Sequence, residues 1–136
     1  MTPSRDDINR FLVEQFPAAS GVECVEVGER HAIARWAYDP STLRPGGLIS
    51  GPTQFALADT ALYFAVFGAI GLEPMVVTSD LSIRFLRPAV GGDLFARADL
   101  LHIGQARIYG VVDLWVGDDA ELRVSHATGT YARSGK

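Results

Sequence analysis

The sequence predicts an α+β domain in which one long central helix is embedded in an antiparallel sheet of five or six strands, with a short amphipathic helix at the N-terminus. Two observations carry this. Residues 51–71 form an apolar run of helical length that opens on Gly and Pro and closes on Gly, and four later segments alternate apolar and polar residues with period two. The length of 136 residues and 48% apolar content fit a single domain over 1–136 with a real core.

Ser4 followed by Asp7 is an N-cap pattern, and Ile8, Phe11, Leu12 and Phe16 fall at helical spacing before Pro17, so a helix over 5–16 is expected across the sheet or the mouth of a site. Short strands are expected at 22–28 and 31–38, then a loop rich in Pro and Gly over 39–50. The long helix begins with Pro52 in its first turn, capped by Ser50 or Gly51, and ends near 68–71. Ala61, Ala65 and Ala69 give it one flank of small side chains that a sheet can approach closely. A helix apolar on all sides is expected to be buried on all sides.

Strands are expected at 75–86, 94–103, 106–116 and 121–133. In the first, Val77, Leu81, Ile83 and Phe85 are assigned to one face and Asp80, Ser82 and Arg84 to the other. Gly91-Gly92-Asp93, Gly104-Gln105 and Gly117-Asp118-Asp119 suit hairpin turns.

Composition excludes several classes. Twelve basic against 16 acidic side chains, net charge -4, leave no footprint for nucleic acid. A lone cysteine, Cys24, makes neither an internal disulfide nor a cysteine-based metal site, and fits a buried thiol in a reducing compartment. The acidic N-terminal stretch is unlike a signal peptide, so the cytoplasm is the expected location. The apolar helix has the length of a membrane span, but an Asp near a span centre costs ~3 kcal/mol, and a soluble core helix explains it better.

That Asp, Asp59, is the only charged residue in 51–71, and an apolar setting makes such a carboxylate costly unless it is used. It is the first candidate for catalysis, as a nucleophile or as a general base. Gly51, with Ser50, could offer a backbone N–H and the positive helix end to a developing oxyanion. Eight residues of helix separate Gly51 from Asp59, about 12 Å at ~1.5 Å per residue. One helix cannot bring both to a single carbonyl, so a dimer with its sites at the seam is expected.

Thr60, Gln54 and Tyr63 are candidate substrate contacts beside Asp59, and Arg87, Arg84 and Arg107 are candidate anion-binding residues, Arg87 first. None of His31, His102 and His126 has metal-ligand spacing, and His126 shares a parity with Leu122 and Val124 that reads as core. Gly47-Leu48-Ile49-Ser50-Gly51 does not match the G-x-S-x-G elbow, which removes the serine hydrolases of that type.

The Ala56-Leu57-Ala58-Asp59-Thr60-Ala61 helix followed by the strand Ser82-Ile83-Arg84-Phe85-Leu86-Arg87-Pro88-Ala89 resembles the PaaI-type acyl-CoA thioesterases of the hotdog fold, over about 21–132. The resemblance implies hydrolysis of an acyl- or aryl-acyl-CoA to free acid and CoA, with the acid at Asp59 catalytic. No metal or redox cofactor is implied, CoA being part of the substrate, and the expected assembly is a homodimer or a homotetramer built as a dimer of dimers. Most relatives carry His-Gly-Gly at the start of this helix, often with an Asn a few residues upstream. This chain has Ser50-Gly51-Pro52, its only Asn is Asn9, and Pro52 offers no N–H. That departure leaves a non-catalytic acyl-CoA or lipid-binding module on the same fold as the rival reading. A hydratase on this fold would need a His beside the Asp on a loop, and no His is near Asp59 in the sequence.

Overall fold

The computed structural model describes residues 2–19 and 21–133. Helix α1 (Arg5–Gln15) starts at Ser4, whose hydroxyl accepts from Asp7 N while the Asp7 carboxylate accepts from Ser4 N, the reciprocal pair the sequence pattern expects. A single 3-10 turn (Pro17–Ala19) leads into β1 (Val22–Val27) and β2 (His31–Trp36). After an irregular stretch comes α2 (Gly51–Ile70), capped by Ser50, whose hydroxyl accepts from Thr53 N. The remaining strands are β3 (Val77–Phe85), β4 (Leu94–Ile103), β5 (Arg107–Val116) and β6 (Ser125–Ala132).

All six strands form one antiparallel sheet in the order β1-β2-β4-β5-β6-β3, wrapped around α2. The β4-β5 and β5-β6 connections are hairpins. The Gly91-Gly92-Asp93 turn is not, because β3 and β4 lie apart in the sheet and the segment between them is a crossover. That order depends on which strands meet in space, which no turn dipeptide encodes.

The last strand also starts later than its alternation suggests. Residues 119–124 are turn and coil, Leu122 is exposed, and β6 begins at Ser125 with Ser125, Ala127, Gly129 and Tyr131 facing inward. His126 therefore lies on the outer face, half-buried, with its Nδ1 2.7 Å from Asp113 Oδ1. It is not a core residue.

The core is the contact between α2 and the inner sheet face. Leu57, Ala58, Ala61, Leu62, Phe64 and Ala65 are fully buried on the helix, opposite Ala32, Ala34, Ala96, Ala98, Val112 and Leu114. Closeness is set by glycine. Gly110 and Gly129 pair across β5 and β6, and a Cβ on either would come within 2.7 and 2.9 Å of the two Leu62 methyl carbons. Leu62 thus sits in a dimple that only two missing side chains could make.

Burial of α2 on every side is not what a single chain achieves. Its C-terminal half is enclosed, but Pro52, Phe55 and Ala56 are exposed and Asp59 and Thr60 are half-buried, which leaves one stripe of the N-terminal half open. The adjoining edge strand β3 is open too, with Val77 57% and Phe85 55% exposed.

At the far end of α2, a Cβ on Gly68 would overlap the Gly28 carbonyl oxygen in the β1-β2 turn and sit 2.9 Å from Val27 Cγ2. Backbone cannot be rotated away as a side chain can. Gly68→Ala is expected to lower stability by about 1–3 kcal/mol, as overpacking does, despite alanine's better helix propensity. Chemical denaturation of the two proteins measures it, and an equal or higher midpoint for the variant would contradict this packing.

Candidate active site

Asp59 sits mid-helix on the stripe of α2 that the sheet leaves open, where the helix passes the ends of β3 and β6. Two hydroxyls hold its Oδ1: Tyr131 OH donates at 2.7 Å and Thr78 Oγ1 at 2.8 Å. Tyr131 OH also lies 3.1 Å from the Asp59 carbonyl oxygen, so one phenol fixes both the side chain and its backbone. Among the described hydrogen bonds Oδ2 takes part in none. One oxygen of the carboxylate is clamped, and the other faces no described hydrogen-bond partner.

Neither partner is among the candidates read from the sequence. Strict alternation in β3 places Thr78 with Asp80 on the outer face and Val77 with the core. The register shows the opposite, because a bulge between Thr78 and Asp80 inserts one residue: Thr78 pairs with Tyr131, Leu81 with Gly129, and Val77 with Ala132 on the outside. The extra residue turns Thr78 inward onto Asp59. Tyr131 carried a usable signal, since it ends an alternating run of small inward residues and its bulk has to fill a space that they leave.

Tyr131 is 3% exposed. Burial first, then the neighbouring Asp59 carboxylate, raise its hydroxyl well above the ordinary tyrosine value, so it remains a proton-bearing donor. Tyr63, one turn beyond Asp59, is also raised, mainly by burial, and its ring stacks on Tyr131 at 5.9 Å and tilts against Phe67 at 4.4 Å. The two tyrosine rings wall one side of a cleft of about 290 Å³ whose lining includes Asp59, Thr60, Tyr63, Val76, Thr78 and Tyr131, bounded on the other side by Leu12, Phe16 and Ala19. The N-terminal helix therefore does lie at the mouth. Thr60 borders the cleft with its hydroxyl spent on Ala56 O at 2.8 Å.

The other candidates lie elsewhere in one protomer. Gly51 is the first residue of α2, with the Phe85 ring against it, so close that a Cβ would meet the ring at 3.1 Å. Its N–H is one that a helix start leaves without an intrahelical acceptor. Ser50 caps the helix and contacts Thr53 Oγ1 at 3.0 Å. Gln54 turns inward, 4% exposed, with Nε2 donating to Ile49 O at 3.2 Å and Oε1 buried without a partner among the described residues. Arg87 donates from Nε to Arg123 O at 2.8 Å, close in sequence to Phe85 and to Ala89, whose carbonyl accepts from Ile49 N. It belongs to the Gly51 end. Arg84 pairs in register with His126 and Arg107 with Ala132, six residues apart on β6 or about 20 Å at ~3.3 Å per residue, so Arg107 lies at the Asp59 end instead.

Among the described residues no three His, Cys, Asp or Glu side chains converge as metal ligands would. Helix α2 is long and apolar enough to cross a membrane, and more than half of that stretch is buried in the fold, where it is the core helix.

A family model described as Thioesterase superfamily matches residues 46–123. Among solved structures, a candidate thioesterase of Silicibacter sp. TM1040 is similar at 31% identity and a TM-score of 0.85, over 95% of this chain and 90% of that one. The PaaI protein of the E. coli phenylacetic acid degradation operon is similar at 26% identity and a TM-score of 0.80, over 93% and 90%. A candidate esterase of Haemophilus influenzae is 29% identical over 125 residues, covering 90% of this chain and 89% of its own.

Cys24, the one thiol nucleophile, takes no part in the site. It is buried in β1 against α1, and burial pushes its thiol up to about 12. At pH 8 the thiolate fraction is then negligible, since the raised value favours the protonated form throughout the neutral range. Native protein should resist an aromatic disulfide reagent at pH 8 and react with one equivalent once unfolded. Rapid labelling of the native state would contradict the packing of α1 on β1.

Proposed function

The chain belongs to the thioesterase superfamily as a PaaI-like hotdog protein, a thioester hydrolase, and from that premise we propose that it hydrolyses acyl-CoA thioesters with Asp59 as the catalytic carboxylate. The observation that carries this reading is the division of labour within the Asp59 carboxylate. With Oδ1 fixed by Thr78 and Tyr131, Oδ2 is presented in one orientation and costs little reorganisation as charge shifts.

Two routes use the same oxygen. As general base, Oδ2 takes a proton from water while the water oxygen bonds to the thioester carbonyl carbon. The tetrahedral oxyanion then collapses, the C–S bond breaks, and the thiolate of CoA recovers the proton. As nucleophile, Oδ2 bonds to the carbonyl carbon and expels the thiolate; water then adds to the Asp59 carboxyl carbon of the mixed anhydride, leaving its oxygen in Asp59, releasing the acid and giving its proton to the thiolate. A single turnover in heavy-oxygen water separates the routes by whether label enters the carboxylate of Asp59.

The oxyanion donor is the Gly51 N–H. Pro52 has no N–H, Thr53 N donates to Ser50 Oγ and Gln54 N to Ser50 O, so Gly51 N–H is the donor left in the first turn of the helix. It lies ~12 Å along the axis from Asp59 in its own chain, so it must come from a second copy. The open stripe of α2 and the open edge of β3 are the surfaces such a copy would cover, and they adjoin both Gly51 and Asp59. Across that seam the Gly51 end of one protomer meets the Asp59 end of the other. This also brings Arg87 and Arg84 of one copy towards the cleft of the other, where they would hold the CoA phosphates, with Arg107 supplied by the second chain. The outer sheet face, with Leu101 57% exposed, is available for pairing dimers into a tetramer. The reducing state implied by Cys24 suits the cytoplasm.

Asp59→Asn keeps the shape of the side chain and removes the base, so kcat should fall by about 10²–10⁴-fold with acyl-CoA binding retained. Turnover at the original rate would remove Asp59 from the mechanism, and absence of CoA release by the unmodified protein would favour the rival reading of a non-catalytic acyl-CoA-binding module. Gly51→Pro deletes the donor at a helix position that accepts proline and should be similarly inactive. Co-refolding the two variants should restore CoA release, because one seam of each hybrid has both parts intact. Absence of recovery in isolated hybrids would place the whole site in one chain.

Arg87→Ala is expected to raise KM for acyl-CoA about tenfold, the loss of one charge-assisted contact, with little effect on an acyl thioester that lacks the nucleotide. Equal changes for both substrates would remove Arg87 from CoA binding.

A further inference from the structure

The cleft at Asp59 adjoins a second space across the end of α1. Leu12, Phe16 and Ala19, which bound the cleft, also line this second hollow of about 450 Å³ on the other side, between α1 and β1. Beyond those shared residues the hollow is walled mainly by Val13, Pro17 and Val22, with Asn9 and Glu23 as its polar side chains.

Both polar side chains are engaged. Asn9 exchanges a pair of hydrogen bonds with the Cys24 backbone, donating to its carbonyl at 3.0 Å and accepting from its N–H at 2.7 Å. Glu23 holds Arg35 at 2.9 Å, and Arg35 in turn holds Asp93 at 2.8 Å. The rest of the lining is mostly hydrocarbon. The same helix leaves Val13 71% and Phe16 58% exposed, apolar surface that an occupant would cover. By volume, the cleft alone is at the lower limit of a small-molecule site, roughly 300 Å³, and the two spaces together fall well inside that range.

The geometry points to the α1-β1 hollow as the distal acyl subsite, taking the tail of an unbranched alkyl chain whose thioester carbonyl lies at Asp59. The chain passes beneath Leu12, Phe16 and Ala19 and ends against Val22. This rests on the thioesterase reading and narrows it: the preferred substrate is a medium- to long-chain fatty acyl-CoA, and α1 is the gauge of its length. A short or polar acyl group would leave the hollow empty and forgo its contacts.

The test is a chain-length series from butanoyl- to hexadecanoyl-CoA, read as kcat/KM on the natural protein and as binding affinity on Asp59→Asn. Both should climb through the middle of the series, by up to about fourfold for each methylene that enters the hollow, and then level off. Val22→Phe narrows the hollow from the strand side and Val13→Trp from the helix side. Each should cut the ratio of dodecanoyl to butanoyl kcat/KM by about tenfold, as losing the burial of two methylenes would. Having two fills from opposite walls covers the case in which one variant does not fold.

Hydrolysis of the whole series at one kcat/KM, or ratios untouched by both folded variants, would overturn the subsite and leave the thioesterase reading standing. Length-dependent binding to a protein that hydrolyses no member would do the reverse. A preference for an aryl-acyl-CoA over every alkyl chain would also overturn the subsite, because a ring is accommodated in the cleft alone.

Discussion

The distance between α2 and the sheet governs the rest of the structure. A leucine at Leu62 is pressed into a dimple formed where Gly110 and Gly129 face each other on neighbouring strands, and this fixes the helix in rotation as well as in height. Asp59 lies just under one turn before Leu62, so once that knob is seated the carboxylate has little choice of direction. Tyr131 lies two residues beyond Gly129 on the same inward face of β6, which sets its hydroxyl at the carboxylate. The geometry at Asp59 is thus inherited from core packing: the hydroxyls of Tyr131 and Thr78 hold the carboxylate, and Leu62 with the two glycines sets the helix that carries it.

Much of this was legible in the sequence because it is encoded locally. The reciprocal Ser4 and Asp7 cap, the Ser50 cap, the extent of α2 and the limits of β4 all follow from patterns that span a few residues. The position of Asp59 as a solitary charge on an apolar helix was equally plain. The separation of Gly51 and Asp59 is equally local, since the rise of a helix is constant.

What escaped depends on pairing between distant strands. Thr78 could not be found by alternation, because the bulge that turns it inward is visible only in its register with Tyr131. His126 escapes for a related reason: residues 119–124 are turn and coil, so alternation through Leu122 and Val124 sets no phase for the strand that follows. Gln54, polar and one turn after the cap, suggested a substrate contact, yet its side chain folds inward to the Ile49 carbonyl. Each of these requires knowledge of what lies across from the residue, and a chain read in one dimension holds that only through its packing.

The bulge in β3 has a meaning for how such a site tolerates change. Downstream of it the strand alternates normally, with Leu81 and Ile83 packed inward, and upstream it is out of phase by one residue, which is the phase Asp59 requires. The two halves of one strand are therefore tuned separately, one to the core and one to the carboxylate, with Ser79 acting as the spacer between them. Substitutions at most positions along β3 exchange one side chain for another in a fixed frame. Losing or gaining a single residue at this spacer would shift the frame itself, carry Thr78 to the far side of the sheet, and leave the fold recognisable while the carboxylate lost half of its support. In this strand, length carries information that side-chain identity does not.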